Sequence, residues 1–321
     1  MKENSVKKEN SKEVNGHVVL RVRSGYTEKK IKPATLKTHN LGNIIRELNI
    51  TKNWISKTFS REFSIIEEII DYETQLFWIY MQGIYVKRII GSSVNIDVLL
   101  NNALANQTYH SLSELILIRN SFYGSARLIF RQQFEGLMIA KYGDFDSTLV
   151  KKWENKKERD GINNISLTND VFNKIKNVDV SALKEFWKDL SDLSHPTKYS
   201  QQVLRAPEIN KVRAYSEYFD STRIIENTYY DLDITFILLM MNYHLLISRL
   251  GKKAEGWDLG YRKDIFGVYP LEKEMKSKIR ELSISYRKIY WDKRPKPQRS
   301  WMLNIIKQYR QNWKLDSKKV A

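Results

Sequence analysis

Cysteine is missing from the 321-residue chain, which excludes disulfide frameworks, thiolate zinc sites and cysteine nucleophiles and agrees with a reducing compartment. Chain-breakers are scarce. Only 13 glycines and 6 prolines are present, which favours long uninterrupted helices over a many-turned β fold. A bilayer span wants about 20 apolar residues in succession. The strongest apolar run, Ile234 to Ile247, is interrupted by Thr235, Asn242 and His244 and reads as a core helix. Met1 to Ser5 lack the apolar centre of a signal peptide. The expectation is a cytoplasmic protein with no membrane span.

What the chain does have is positive charge, and it sits at the ends. The formal charge is +17. Residues 1–40 hold ten basic and four acidic residues, and residues 271–321 hold fifteen and five, so the body between them is nearly neutral. This asymmetry divides the sequence into a basic arm (1–40), a helical body (41–270) and basic, aromatic C-terminal helices (271–321). The arm is polar and Lys-rich to residue 16, the composition of a disordered segment. His17 to Val22 form a candidate short strand, and Pro33 keeps 27–40 extended.

From Leu41 the apolar spacing becomes helical. Trp54, Ile55, Phe59, Phe63, Ile66, Ile70 and Phe77 recur at three, four and seven residues, predicting one helix or two in line over 51–90. A short helix follows at 96–107. Ser111-x-x-Glu114 has the pattern of a capping box and predicts a new helix over 111–142. Further helices are expected at 147–158, 181–193, 208–225, 229–250 and from Pro270 to Trp291. Lys293-Arg294-Pro295-Lys296-Pro297 reads as a stiff spacer before a last helix at 299–314. Asp231 and Asp233 read as N-terminal charges complementing a helix dipole. The fold class is therefore all-α, a multi-helix bundle with an extended basic N-terminal arm and basic C-terminal helices.

Within 111–142, Asn120, Gly124, Arg127, Arg131 and Glu135 share one face by their spacing. A charged stripe on an apolar helix needs partners, because an unpaired buried charge is expensive. A second polar cluster runs from Trp187 to Tyr199, with His195 at a helix C-terminus ahead of Pro196. Either Arg131 and Glu135 form an ion pair along the helix and His195 satisfies carbonyls, or Arg127, Arg131, Glu135 and His195 line one pocket for an anionic ligand.

Gly124, Ala126, Arg131 and Glu135 spell G-x-A-x(4)-R-x(3)-E, and Leu190, Ser191, His195 and Pro196 spell L-S-x-x-x-H-P. Over residues 110–250 this order resembles a bacterial family of all-helical domains of unknown function, distantly similar to the HEPN ribonucleases. The resemblance implies a helical bundle and points to a mobile-element or phage-defence setting; it assigns no activity. The HEPN signature, an arginine five to seven positions before a histidine on one helix, is absent at His17, His39, His110, His195 and His244.

Other chemistry is not encoded. The histidines form no H-x(3)-H or H-E-x-x-H pair, and no phosphate-cradling glycine loop exists. Glu154-x-Lys156 and Glu274-x-Lys276 have nuclease-like spacing but fall in helical sequence, where chance accounts for them. No metal and no cofactor is expected, and the balance leans away from an enzyme.

Between 276 and 314 there are twelve basic residues against Glu281 and Asp292, interleaved with Tyr286, Tyr290, Trp291, Trp301, Tyr309 and Trp313. Cations neutralise phosphates and release counterions; exposed rings stack on unpaired bases. The residues this nominates for DNA or RNA are Arg287, Lys288, Lys293, Arg294, Lys296, Arg299, Trp301, Lys307, Arg310 and Lys314. An aromatic stripe at helical spacing equally suits packing onto the body, and an anionic membrane surface attracts the same charges. The leading expectation is a nucleic-acid-binding helical protein. The alternatives are a HEPN-like toxin or hydrolase centred on Arg127, Arg131, Glu135 and His195, and a homo-oligomeric scaffold.

Overall fold

The computed structural model describes residues 41–89, 95–142, 167–176, 178–194, 221–254, 268–294, 296–311 and 314–315. The basic arm, the expected helix at 147–158, most of that at 208–225, and His195 lie outside them. The architecture is all-α. In chain order the helices are α1 (Leu41–Thr58), α2 (Ser60–Ile89), α3 (Asn95–Arg119), α4 (Tyr123–Tyr142), α5 (Ser181–Ser194), α6 (Ser221–Ala254), α7 (Val268–Lys293) and α8 (Lys296–Arg310). A π-helical turn at Leu167–Phe172 precedes a two-residue strand, β1 (Ile175–Lys176), which pairs antiparallel with β2 (Lys314–Leu315).

The centre of the bundle is α6. Every residue from Asp231 to Asn242 is buried, as expected of a helix surrounded on all sides; α2, α3, α4 and α8 all pack on it. Its stretch Ile224–Ser248 is long and apolar enough to cross a membrane, and 78% of its most apolar window is buried inside the bundle. Other helices contribute apolar stripes at helical spacing: Phe63, Ile66, Ile70 and Phe77 from α2, which packs on α6, and Leu183, Phe186, Leu190 and Leu193 from α5, which packs on α4 and α8. Each such side chain contributes about 1.5–3 kcal/mol of burial. Phe134 of α4 meets Phe186 edge-on at 5.2 Å and stacks on Trp187 at 6.0 Å, joining α4 to α5.

Three expectations are corrected. The predicted helix at 111–142 breaks at Asn120–Phe122, where Ser121 has φ 57° and the Asn120 amide donates back to the Ile116 carbonyl at 2.7 Å. Ser111 and Glu114 therefore cap nothing. They lie inside α3, fully buried, and Ser111 Oγ accepts from Gln133 Nε2 at 2.9 Å. Second, α6 begins at Ser221, so Asp231 and Asp233 occupy its interior rather than its first turn. Third, the stiff spacer contracts to a joint: α7 ends at Lys293 and α8 starts at Lys296, with Pro297 in its first turn, where a missing N–H costs nothing.

The C-terminal helices are built into the bundle. α7 lies mainly on α2, and α8 on α5 and α6. Gln308 of α8 caps α5 from outside: its Oε1 accepts from the Ala182 and Leu183 backbone N–H groups at 2.9 and 3.3 Å, and its Nε2 donates to Asp179 at 2.8 Å. Tyr309 donates to the Leu137 carbonyl of α4 at 3.2 Å.

Candidate functional site

The polar stripe on α4 resolves into separate contacts. Arg127 is buried, and its Nε donates to Asp231 Oδ1 of α6 at 2.9 Å, while its second amino group donates to Asn227 at 2.7 Å. Burial is the first influence on Asp231 and pushes its carboxyl up; Arg127 opposes it. One turn toward the N-terminus, the Tyr123 and Thr228 hydroxyls share a hydrogen bond at 2.8 Å. Asn120 belongs to the α3–α4 turn and leaves the stripe. Arg131 is half-buried, lies 5.2 Å from the Trp187 ring centre and donates to Ser194 at 3.3 Å. Glu135 is half-buried beside it on α4. Arg131 thus reaches the end of α5 at the residue before His195, while Arg127 is engaged in the core.

Sequence reasoning missed the rest of the core's polar ladder. Glu73 of α2 accepts from Asn242 of α6 at 2.7 Å, and Glu114 of α3 lies beside Thr235 and Asp231. Burial pushes both glutamates well above the ordinary carboxylate range. A raised folded-state value means that the folded chain holds protons that the unfolded chain has released. The stability these groups contribute is complete below the ordinary glutamate value, about 4.3, and is lost as pH rises through the folded value. Glu114→Gln, which keeps the shape without the charge, is therefore expected to gain on the wild type as pH rises from 5 to 8 in urea unfolding. Parallel profiles for the two proteins would contradict this.

The basic residues near the C-terminus separate into two groups. At the α7–α8 joint, Arg294 is buried, donating to Asp233 from Nε at 3.0 Å and lying 3.7 Å from the Tyr229 ring centre. Tyr286 donates to the same carboxylate at 3.0 Å. Lys293 donates to buried Glu62 at 2.8 Å, and Arg299 donates to the Arg294 carbonyl at 2.8 Å. Lys293, Arg294 and Arg299 thus hold the joint together; Arg294 does not face solvent. Asp231 and Asp233, two residues apart on α6, meet arginines from different places, Arg127 of α4 and Arg294 of the α7–α8 joint.

The second group gathers where the C-terminal ends of α4 and α8 approach α6 at Tyr243–His244 and α7 at Lys276. Lys141 of α4 donates to the Gln311 carbonyl at 3.2 Å and lies 4.3 Å from the Tyr309 ring centre. Tyr243 of α6 donates to the Lys276 carbonyl of α7 at 3.4 Å and neighbours His244, with ring centres 5.5 Å apart. Burial pushes the His244 imidazole down to about 4, and the charges of Arg310 and Lys141 act in the same direction. Arg280 and Arg310 also act on the Tyr243 hydroxyl, after burial and Glu73. Arg280, Lys307 and Arg310 are exposed. Three helices, α4, α7 and α8, therefore deliver cations to this part of the bundle, and two of those cations, Lys141 and Arg280, are not nominated by the sequence.

Elsewhere on α7 and α8, Lys288 and Lys296 face solvent and Arg287 is half-buried. Lys314 lies in β2. The rings turn inward. Tyr286 and Tyr309 are buried, and Trp301 stacks on Tyr230 at 6.2 Å and meets Phe186 edge-on at 5.6 Å. Trp301 also borders a groove of about 330 Å³ lined by Glu185, Lys188, Asp189 and Asp192. Burial, then Asp192 and Glu185, raise the Asp189 carboxyl. Three carboxylates to one ammonium repel phosphate, so Trp301 is not placed to stack on a base.

No cluster of three or more His, Asp or Glu side chains suited to a metal occurs among the described residues. No family model, curated protein or solved structure matches the chain.

Proposed function

We propose that the protein binds nucleic acid through its phosphate backbone, at the place where Lys141, Arg280 and Arg310 lie near Tyr243 and His244, with Lys307 three residues before Arg310 on α8. What supports the reading is the convergence of cations from α4, α7 and α8 on one place. α8 itself contains four basic and no acidic residues. Part of this charge complements helix dipoles, since Lys141, Lys307 and Arg310 sit in the last turns of their helices. A dipole is served by one such residue per helix, however, and Arg280 lies mid-helix.

The orientation of the rings changes the expected binding mode. With Tyr286 and Tyr309 in the core, those two rings cannot act as a stacking platform for unpaired bases. Contacts to phosphates alone carry no sequence information. Binding should thus be insensitive to sequence and strongly dependent on salt.

Fluorescence anisotropy with a labelled duplex, repeated across a salt series, tests this. The triple variant Arg280→Gln/Lys307→Gln/Arg310→Gln is expected to shallow the slope of log K against log salt by about 0.9 per lost contact. Affinity at low salt falls accordingly, while the unfolding midpoint stays close to that of the wild type. An unchanged slope would remove this end of the bundle as the phosphate site.

A further inference from the structure

α3 and α4 both rest on α6 and on each other, so their outer stripes look away from α6 in a common direction. On α3 that stripe is Tyr109, Leu112 and Ile116, exposed at 70%, 44% and 61%. On α4 it runs from Phe122 at the turn to Leu128, 45% and 51% exposed, with Ser125 and Gln132 beside them. The Arg119–Glu67 pair at 2.6 Å sets the antiparallel register of α3 and α2. Three turns along from that pair, on the same face, Trp78 of α2 stands level with the residue before Tyr109 and is 62% exposed.

These six side chains expose on the order of 600 Å² of mainly apolar surface, taking about 150–250 Å² for a large ring. That is the upper end of what one monomer ordinarily shows. Along α3 the face is also uncharged, with the Arg119–Glu67 ion pair at its edge. Between residues 104 and 118 the only Asp, Glu, Lys or Arg is Glu114, which is buried.

We infer that this face is the contact between two copies of the chain, related by a two-fold axis across α3. In such an interface each residue near the axis meets its own counterpart or a close neighbour, so a charge there would face its like. Two chains of formal charge +17 repel over most of their surface, and this stripe is where they can meet without opposing cations. With the serines and Gln132 bordering it, the patch approaches the roughly 800 Å² per partner of a standard specific interface. A membrane-lying helix would instead carry Lys or Arg along its flanks, and an acidic partner would seat on the cationic end. The inference is independent of nucleic-acid binding, which on α4 uses Lys141 in the last turn rather than the stripe from Phe122 to Leu128.

Sedimentation velocity of the full chain at tens of micromolar and at 0.5 M salt is expected to give twice the chain mass. Ile116→Glu should halve it with the helical circular dichroism retained, whereas Ile284→Glu, at an exposed apolar position on α7 (51% exposed), should leave the dimer intact. Because the chain has no cysteine, Leu112→Cys provides a second readout if Ile116→Glu does not fold. Under mild oxidation it should yield a covalent dimer, and Ile284→Cys should not. A monomeric wild type, a dimer that survives Ile116→Glu, or equal cross-linking of the two cysteine variants would overturn the assignment.

Discussion

Arg127→Met should cost about 3–5 kcal/mol of folding stability, the range found when one member of a buried ion pair is removed. Arg127 and Asp231 are 2% and 0% exposed at the side chain, so the orphaned carboxylate has no water to turn to. It must take up a proton or remain charged in an apolar surround, and either costs free energy. The cost of protonation grows with pH, so the deficit should be larger at pH 8 than at pH 5. Adding Asp231→Leu removes the second charge along with the first. The double variant should recover most of the loss, because a buried pair replaced by apolar residues is often neutral in stability. Urea unfolding of the four proteins at both pH values forms the cycle. A single variant within about 1 kcal/mol of wild type, or a double no better than the single, would show that the pair is not what satisfies Asp231.

The second large effect belongs to the α7–α8 joint. Arg294→Met strands Asp233, which is left with Tyr286 as its donor, and removes the guanidinium from the Tyr229 face. The expected loss is again about 3–5 kcal/mol. Lys296→Ala, two residues on and exposed, should stay within about 0.5 kcal/mol. The pairing with duplex binding is what makes this informative. Arg294→Met should lower stability and leave the salt slope alone, because the side chain is already committed inside the bundle. The Arg280/Lys307/Arg310 triple should do the reverse. If Arg294→Met instead shallows the salt slope while the protein remains fully folded, then Arg294 faces phosphate and does not hold Asp233.

The α3–α4 break shows where local patterns stop being informative. Residues 111–142 carry apolar side chains on both sides of Asn120, and the turn itself has no glycine or proline, so nothing in that window marks a stop. The turn exists because α3 and α4 each have a separate stripe to bury against α6. A continuous helix over 111–142 would put Asn120 on the Arg127 face and make Ser111 a cap. The start of α6 is hidden for a similar reason: a helix beginning near residue 229 would put Asp231 and Asp233 in a first turn, where acids need no partner.

The helical class was legible from residues alone, because apolar periodicity, scarce glycine and scarce proline act over one or two turns and need no knowledge of neighbours. So was the excess of cations near the C-terminus, since charge is a sum over residues. Which cations are consumed by the fold was decided only in three dimensions. Arg127 and Asp231 are 104 positions apart and Arg294 and Asp233 are 61 apart, and partners at that distance are chosen by which helices pack together. The same packing turned Tyr286 and Tyr309 inward and brought Lys141, Arg280 and Arg310 toward His244, because burying an apolar stripe fixes the rotation of a helix and with it the direction of every polar side chain it carries.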